Sequence, residues 1–221
     1  MEEREVFTYL QSLVTPRRKQ LFKSVAATRT YHFTVAVEDV GHLHNTSAVM
    51  RSCEAFGVQD LHVVEDRFGR RIDREIAMGA QKWTTVHRHS SSKNTVEKLK
   101  EKGYKIVATS PHKKESTLAN FDITKPAVLF FGSEAKGLSD EVMEAADDFI
   151  YIPTYGFTES LNISVSAAII IQVLMAHLRE SDLHWRLTHS EQEKLQLHWL
   201  KRHIKNVDEI LKTFKERWKT V

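Results

Sequence analysis

Ala127-Val128-Leu129-Phe130-Phe131-Gly132-Ser133-Glu134-Ala135-Lys136-Gly137-Leu138 decides the fold class, because an unbroken apolar run passes straight into a polar loop bracketed by two glycines. A strand that is apolar at every position has both faces covered, the situation of a parallel sheet with helices on either side. The same order of features returns at Phe149 to Ile152. That strand leads through Pro153-Thr154-Tyr155-Gly156-Phe157-Thr158-Glu159-Ser160-Leu161-Asn162 into a long apolar helix that opens on small residues, Ser164-Val165-Ser166-Ala167-Ala168. Two such loops, about twenty residues apart, converge at the carboxyl edge of one sheet, where open α/β folds bind ligands.

Outward from these stretches the chain alternates strand and helix. Phe33-Thr34-Val35-Ala36-Val37, Leu61 to Val64, Thr84 to Val86 and Lys105 to Thr109 read as strands. Asn45 is a good N-cap for a helix that Gly57 stops; Asp73 to Met78 and Thr95 to Lys102 are further helices, the latter ended by Gly103. Ser139 to Ala146 forms one more before Phe149. At the ends, residues 3 to 13 and 16 to 28 make two helices broken at Thr15-Pro16, and Ser190 to His203 and Val207 to Trp218 make two more. The alternation predicts an α/β fold with a mainly parallel sheet flanked by helices.

With 221 residues, 41% hydrophobic and 28% charged, the chain can bury one substantial core. Its single cysteine, Cys53, excludes an internal disulfide and a multi-cysteine zinc site, as suits a reducing cytosol. The acidic start, Met1-Glu2-Glu3-Arg4-Glu5, leads into no signal-peptide apolar core. Val165 to Leu178 is interrupted by Ser166, Gln172 and His177 and is shorter than the ~20 apolar residues of a membrane span, so it reads as a buried helix.

Net charge of +3 conceals an uneven distribution. Residues 1–32 hold six Lys/Arg against three Glu, and residues 184–221 hold nine against five Asp/Glu, which leaves the middle at −4. Basic ends on an acidic body point to a polyanionic partner gripped by Arg17, Arg18 and Lys19 and by Lys201, Arg202 and Lys205, against the plainer reading of solvated helix faces. Among the eight glycines no Gly-x-Gly occurs, and Gly137 precedes Leu138 rather than Lys-Ser/Thr, so neither a dinucleotide fingerprint nor a P-loop is present. No Gly-x-Ser-x-Gly elbow occurs. His87 and His89 stand at a spacing that can pair on a metal, but their neighbours read as a loop and no metal site is expected.

Together with His44-Asn45-Thr46-Ser47-Ala48-Val49-Met50-Arg51-Ser52-Cys53-Glu54-Ala55-Phe56-Gly57, the two loop stretches resemble, in order and spacing, the three motifs of the SpoU/TrmH group of SPOUT methyltransferases. The resemblance runs from about Phe33 to Leu178, and the extensions, notably Leu195 to Asp208 around Trp199, resemble the tRNA guanosine-2'-O-methyltransferase branch. Leu43 stands where relatives often carry proline, a departure that bears on loop stiffness rather than chemistry.

The resemblance implies a deep C-terminal trefoil knot in a 33–180 methyltransferase domain, with helical extensions over 1–32 and 181–221. It also implies a cytoplasmic homodimer that uses S-adenosylmethionine to methylate a ribose 2'-hydroxyl of tRNA, with guanosine 18 of the D-loop as the expected target; ribosomal RNA as substrate, or a non-catalytic RNA-binding role, stays open. Thr109, Gly132, Ile152 and Leu161 are then the cofactor-binding residues, with Ile152 and Leu161 as plain core residues the competing reading. Arg51, Asn45, Glu134, Ser160 and Asn162 are the catalytic set. Arg51 lies about 120° from an apolar stripe at positions 48, 49, 52, 53 and 56, so it is free to reach a phosphate or ribose oxygen. Helix capping and loop ordering are the competing roles for the other four.

Overall fold

The structure, a computed structural model, describes residues 3–40, 43–65, 78–113, 116–133 and 136–218. In chain order its elements are α1 (Glu3–Ser12), α2 (Pro16–Ala26), β1 (Phe33–Glu38), α3 (Leu43–Phe56), β2 (Asp60–Val64), β3 (Thr85–His89), α4 (Ser92–Glu101), β4 (Lys105–Thr109), β5 (Ser116–Thr117), β6 (Ala127–Phe131), α5 (Asp140–Ala145), β7 (Asp148–Tyr151), α6 (Ile163–Glu180), α7 (His189–His203) and α8 (Val207–Trp218). They fall into two compact units, Thr30–Trp185 and a helical unit of Met1–Arg29 with Arg186–Val221.

In the larger unit the strands form one sheet of order β3-β2-β1-β6-β4-β7-β5, and every pairing is parallel. β6 is buried at all five positions, as its unbroken apolar run requires. Alternation across the sheet then divides the core. Phe33, Val35 and Val37 of β1 and Leu129 and Phe131 of β6 face Val49, Met50 and Cys53 of α3 and Ile170, Ile171 and Leu174 of α6. Ala36, Val128 and Phe130 face the other way, against Val96 and Leu99 of α4 and Val142 of α5. The unit is a three-layer α/β/α sandwich.

Local signals place the helix ends. Thr15 caps α2 with Pro16 in its first turn, Ser91 caps α4, Ser139 caps α5, and Gly57 ends α3 in the left-handed region at φ 92. α6 is long and apolar enough to cross a membrane by length and composition alone, with mean hydropathy 1.4. Ala167, Ile170, Ile171, Leu174, Met175 and Leu178 nevertheless join the core, so it is a core helix, and Arg179 near its end donates to the Phe56 carbonyl at the end of α3, 2.6 Å away.

Four sequence expectations need correction. Asn45 does not cap α3, which starts at Leu43; it lies inside the first turn. The buried face of α3 comprises Asn45, Thr46, Ser47, Val49, Met50 and Cys53, with Phe56 half-buried against the core; of the expected stripe Val49, Cys53 and Phe56 hold, but Ala48 and Ser52 are only half-buried, because the phase is set by the sheet and α6 together. β3 continues to His89, so His87 and His89 are strand residues paired in register with His62 and Val64. β5 and a 3₁₀ turn at Ala80–Lys82 were not foreseen. The helix expected over Asp73 to Met78 falls almost wholly outside the described residues.

In the helical unit, α1 and α2 pack on α7. Phe22 of α2 meets Trp199 at 5.8 Å between ring centroids, and the Thr188–Glu191 capping box opens α7.

Candidate active site

A cleft of about 530 Å³ opens at the carboxyl ends of β4, β6 and β7, three neighbours in the sheet. Each strand contributes its last residues and the loop behind it: Thr109-Ser110-Pro111-His112, Phe131-Gly132-Ser133 with Lys136-Gly137-Leu138, and Tyr151-Ile152 with Thr154 and Glu159-Ser160-Leu161. Parallel strands end on the same side of a sheet, so side chains and amides far apart in sequence meet there. Thr109, Gly132, Ile152, Leu161 and Ser160 all line this cleft.

Hydrogen bonds fix the three strand ends relative to one another. The Thr109 hydroxyl donates to the Phe130 carbonyl at 2.8 Å, and the Ser110 amide donates to the Ile150 carbonyl at 3.2 Å. Ser133 and Gly137 bond each other in both directions: the Ser133 amide donates to the Gly137 carbonyl at 3.1 Å and the Gly137 amide donates to the Ser133 carbonyl at 2.8 Å. Gly137 sits in the left-handed region at φ 68. A Cβ added at Gly132 would run into the backbone of Gly137 and Leu138, so glycine is required by close approach of main chain to main chain.

Asn162 closes the third loop. Its Oδ1 accepts from the Ser164 amide at 2.9 Å and the Ser164 hydroxyl at 2.6 Å, capping α6, while its Nδ2 donates to Asn45 Oδ1 at 3.3 Å. Asparagine suits both tasks because its amide carries an acceptor and a donor. Asn45, nearly buried, is thereby tied to the rim beside Leu161, although neither asparagine lines the cleft.

Arg51 is exposed on α3, about 9 Å further along the helix axis than Asn45, and does not line the cleft. Glu134 lies outside the described residues. Sequence reasoning passed over Ser110, Pro111 and His112, which wall the cleft behind β4. The signal available was a strand followed at once by a Ser-Pro turn.

In the helical unit Arg17, Arg18 and Lys19 stand on α2, Lys201 and Arg202 on the last turn of α7, and Lys205 in the turn that follows it. Arg18 lies 5.8 Å over the Phe22 ring, and Phe22 in turn meets His203 edge-on at 5.8 Å, which puts the basic turn of α2 beside the basic end of α7. His198 reports the resulting field: burial and then the charges of Arg202 and Lys201 hold its pKa below the ordinary value. Lys201, Arg202 and Lys205 are exposed, as is Arg17; Arg18 and Lys19 are half-buried.

A second set of polar groups lies at the other edge of the sheet. His62 stacks on His87 and His89, with centroids 4.7 and 5.2 Å away, and bonds His89 ring to ring at 2.9 Å, while His87 Nε2 meets Asp60 at 3.2 Å. Burial, then the neighbouring His87, His89 and Lys102, push the His62 pKa down to about 3. Among the described residues no group of His, Cys, Asp or Glu is placed to hold a metal.

With this geometry in hand the chain can be set beside known proteins. A family model, SpoU rRNA Methylase family, matches residues 32–172. The tRNA (guanosine(18)-2'-O)-methyltransferase of Borreliella burgdorferi is 36% identical over 197 residues, covering 89% of this chain and 90% of that protein. The enzyme of the same description from Thermus thermophilus is 35% identical over 157 residues, 71% of this chain and 81% of its own length. A crystal structure of the A. aeolicus TrmH/SpoU tRNA modifying enzyme superposes with a TM-score of 0.77 at 32% identity, over 86% of this chain and 98% of that one. The SpoU methyltransferase AviRb from Streptomyces viridochromogenes, solved in complex with the cofactor AdoMet, shares the fold at TM-score 0.59 and 23% identity, over 72% of this chain and 62% of its own.

Proposed function

The chain belongs to the SpoU rRNA Methylase family, and from that membership we propose that it transfers a methyl group from S-adenosylmethionine to a ribose 2'-hydroxyl of tRNA, guanosine 18 of the D-loop being the target. The observation that carries the tRNA reading is the reach of the likeness: it covers 89% of this chain and 90% of a tRNA (guanosine(18)-2'-O)-methyltransferase, well past the 32–172 span of the family model. Ribosomal RNA as substrate rests only on the family's description.

The cleft fits such a donor. Its volume, about 530 Å³, lies in the range of small-molecule sites, and apolar Leu138, Ile152, Leu161 and Ile170 face strand-end backbone groups across it. S-adenosylmethionine, when bound, supplies a sulfonium-activated methyl carbon open to attack by an oxygen nucleophile, with the neutral thioether as the leaving group. In this reading Thr109 and Gly132 present the backbone edge that holds the adenosine, Ile152 and Leu161 wall it in, and Ser160 and Asn162 set the third loop. The Asn162–Asn45 bond fixes the rim over which the ribose enters. Arg51 clamps an RNA phosphate and stabilises the developing 2'-oxyanion; a guanidinium keeps its proton, so the hydroxyl proton leaves to an RNA phosphate or to water. Glu134 is assigned to the same catalytic set by its motif position.

Three further parts of the proposal concern assembly. The protein acts in the cytoplasm as a homodimer, with the exposed Val165 of α6 and the fully exposed Tyr155 and Phe157 offered to a second copy. The C-terminal half is tied in a trefoil knot. The extensions over 1–32 and 181–221 grip tRNA through Arg17, Arg18, Lys19, Lys201, Arg202 and Lys205.

Purified protein incubated with methyl-labelled donor is expected to label isolated tRNA at guanosine 18, and a 2'-deoxy substitution there is expected to abolish transfer. Label on a ribosomal RNA fragment but not on tRNA would replace the substrate; no label on either would end the enzymatic reading. Sedimentation at micromolar concentration tests the dimer.

A further inference from the structure

Glu38, the last residue of β1, is a buried carboxylate that none of the motif residues explains, only 2% exposed and absent from the cleft wall. Its Oε2 accepts from the Ser139 amide at 2.7 Å; its Oε1 accepts from the Ser139 hydroxyl at 2.6 Å and from the Ser92 hydroxyl. A buried carboxylate is tolerated only when it is satisfied in this way, and bonds to it are charge-assisted and strong. Ser92 and Ser139 stand at the first turns of α4 and α5, so the positive ends of two helices also face it.

Ser139 follows directly on the Gly132–Leu138 loop of the donor cleft. The loop leaves the sheet at Phe131, which pairs in register with Val37, and it ends at Ser139, which is held by Glu38. Both ends of the loop are therefore anchored by adjacent residues of β1, and the Gly132–Gly137 contact closes the ring between them.

Resting on the donor-cleft reading above, we infer that Glu38 is a positioning residue: it sets the affinity of the cleft for S-adenosylmethionine by holding Gly137 and Leu138, through Ser139, against Gly132, without touching donor or RNA. Glu38→Gln keeps the side chain's shape but removes a charge and one acceptor, so the Ser139 anchor loosens while the core stays filled.

The test measures donor Kd by calorimetry and donor KM, kcat and tRNA affinity in the full-length protein. For Glu38→Gln and for Ser139→Ala, donor Kd and KM are expected to rise about tenfold. kcat at saturating donor and tRNA affinity are expected to stay within about twofold, and the double variant is expected to add little to either single one. Lys105→Met, which breaks the 2.8 Å Lys105–Asp148 pair at the start of β4, serves as a destabilised control expected to leave donor Kd unchanged. Donor affinity unchanged in both Glu38→Gln and Ser139→Ala, or a control that weakens the donor equally at matched Tm, overturns the inference. A wild-type protein that binds no donor overturns the underlying cleft reading instead.

Discussion

The two units of this chain differ in what they expose. The sheet unit, Thr30–Trp185, carries a net charge of −4, and its cleft gathers strand-end backbone groups, apolar side chains and the charged Lys136, Asp140 and Glu159. The helical unit, built from both chain ends, is charged +3 over Met1–Arg29 and +4 over Arg186–Val221. The contrast fits the division of labour proposed above: the acidic unit has a shaped cleft of a size suited to a small donor, and the basic unit carries a field suited to a polyanion. Arg51 is an exposed cation within the acidic unit.

The sharpest break of that division is Arg51→Ala. Transfer to tRNA is expected to fall by about 10²–10³-fold with donor Kd unchanged, as for loss of one oxyanion-stabilising group. An equal loss of donor affinity would place Arg51 in the donor site and blur the boundary between the tasks.

Gly132→Ala comes next, because its Cβ would meet backbone that cannot rotate away. Overpacking of about 1–3 kcal/mol predicts donor binding weakened by about 10–100-fold with tRNA affinity kept, measured by calorimetry and by filter binding. A parallel loss of tRNA binding would mean that the sheet unit also grips RNA.

Charge reversal at Arg17, Arg18 and Lys19, or at Lys201, Arg202 and Lys205, probes the other side. Affinity for tRNA is expected to drop about tenfold at low salt, and the slope of log K against log salt to shrink by about 2, with donor Kd untouched. Unchanged affinity at moderate salt would move RNA binding into the acidic unit.

The smallest effect at neutral pH belongs to His62. Its pKa in the fold, about 3, lies below the ordinary 6.5, so the stability it gives is complete above 6.5 and drains as pH falls toward 3, by about 1.4 kcal/mol per pH unit. His62→Asn should flatten the loss of Tm between pH 6 and about 4 and leave transfer at pH 7 unaltered. An acid profile identical to wild type would assign the acid sensitivity to other groups, such as His89, whose pKa burial also lowers.

Much of this architecture was legible because local chemistry and global fold agree. Ala127–Phe131 and Lys105–Thr109 are apolar runs with the observed strand limits, and Asn162 caps the helix that follows it. Where legibility failed, a partner far away in sequence had decided the matter. The strand read at Thr84 to Val86 is β3, but its continuation through His87, Arg88 and His89 carries no apolar run to announce it; those residues are in the strand because β2 supplies the hydrogen bonds and an edge strand tolerates polar faces. Met50 faces the core because α3 packs on the sheet and on α6 at once, whereas a stripe drawn from periodicity assumes a single direction of burial.

The sequence by itself determined the strand runs, the caps, the glycines that allow the loops to turn and the charge carried by each end of the chain, all of which depend on a residue and its near neighbours. Only the tertiary structure decided that Thr109, Gly132, Ile152 and Leu161 share one cleft, since that follows from the order of β6, β4 and β7 in the sheet. It also gave Glu38 its meaning. A carboxylate at the end of an apolar strand looks misplaced in the sequence, and its burial becomes tolerable only when donors 54 and 101 residues away, Ser92 and Ser139, arrive with the fold.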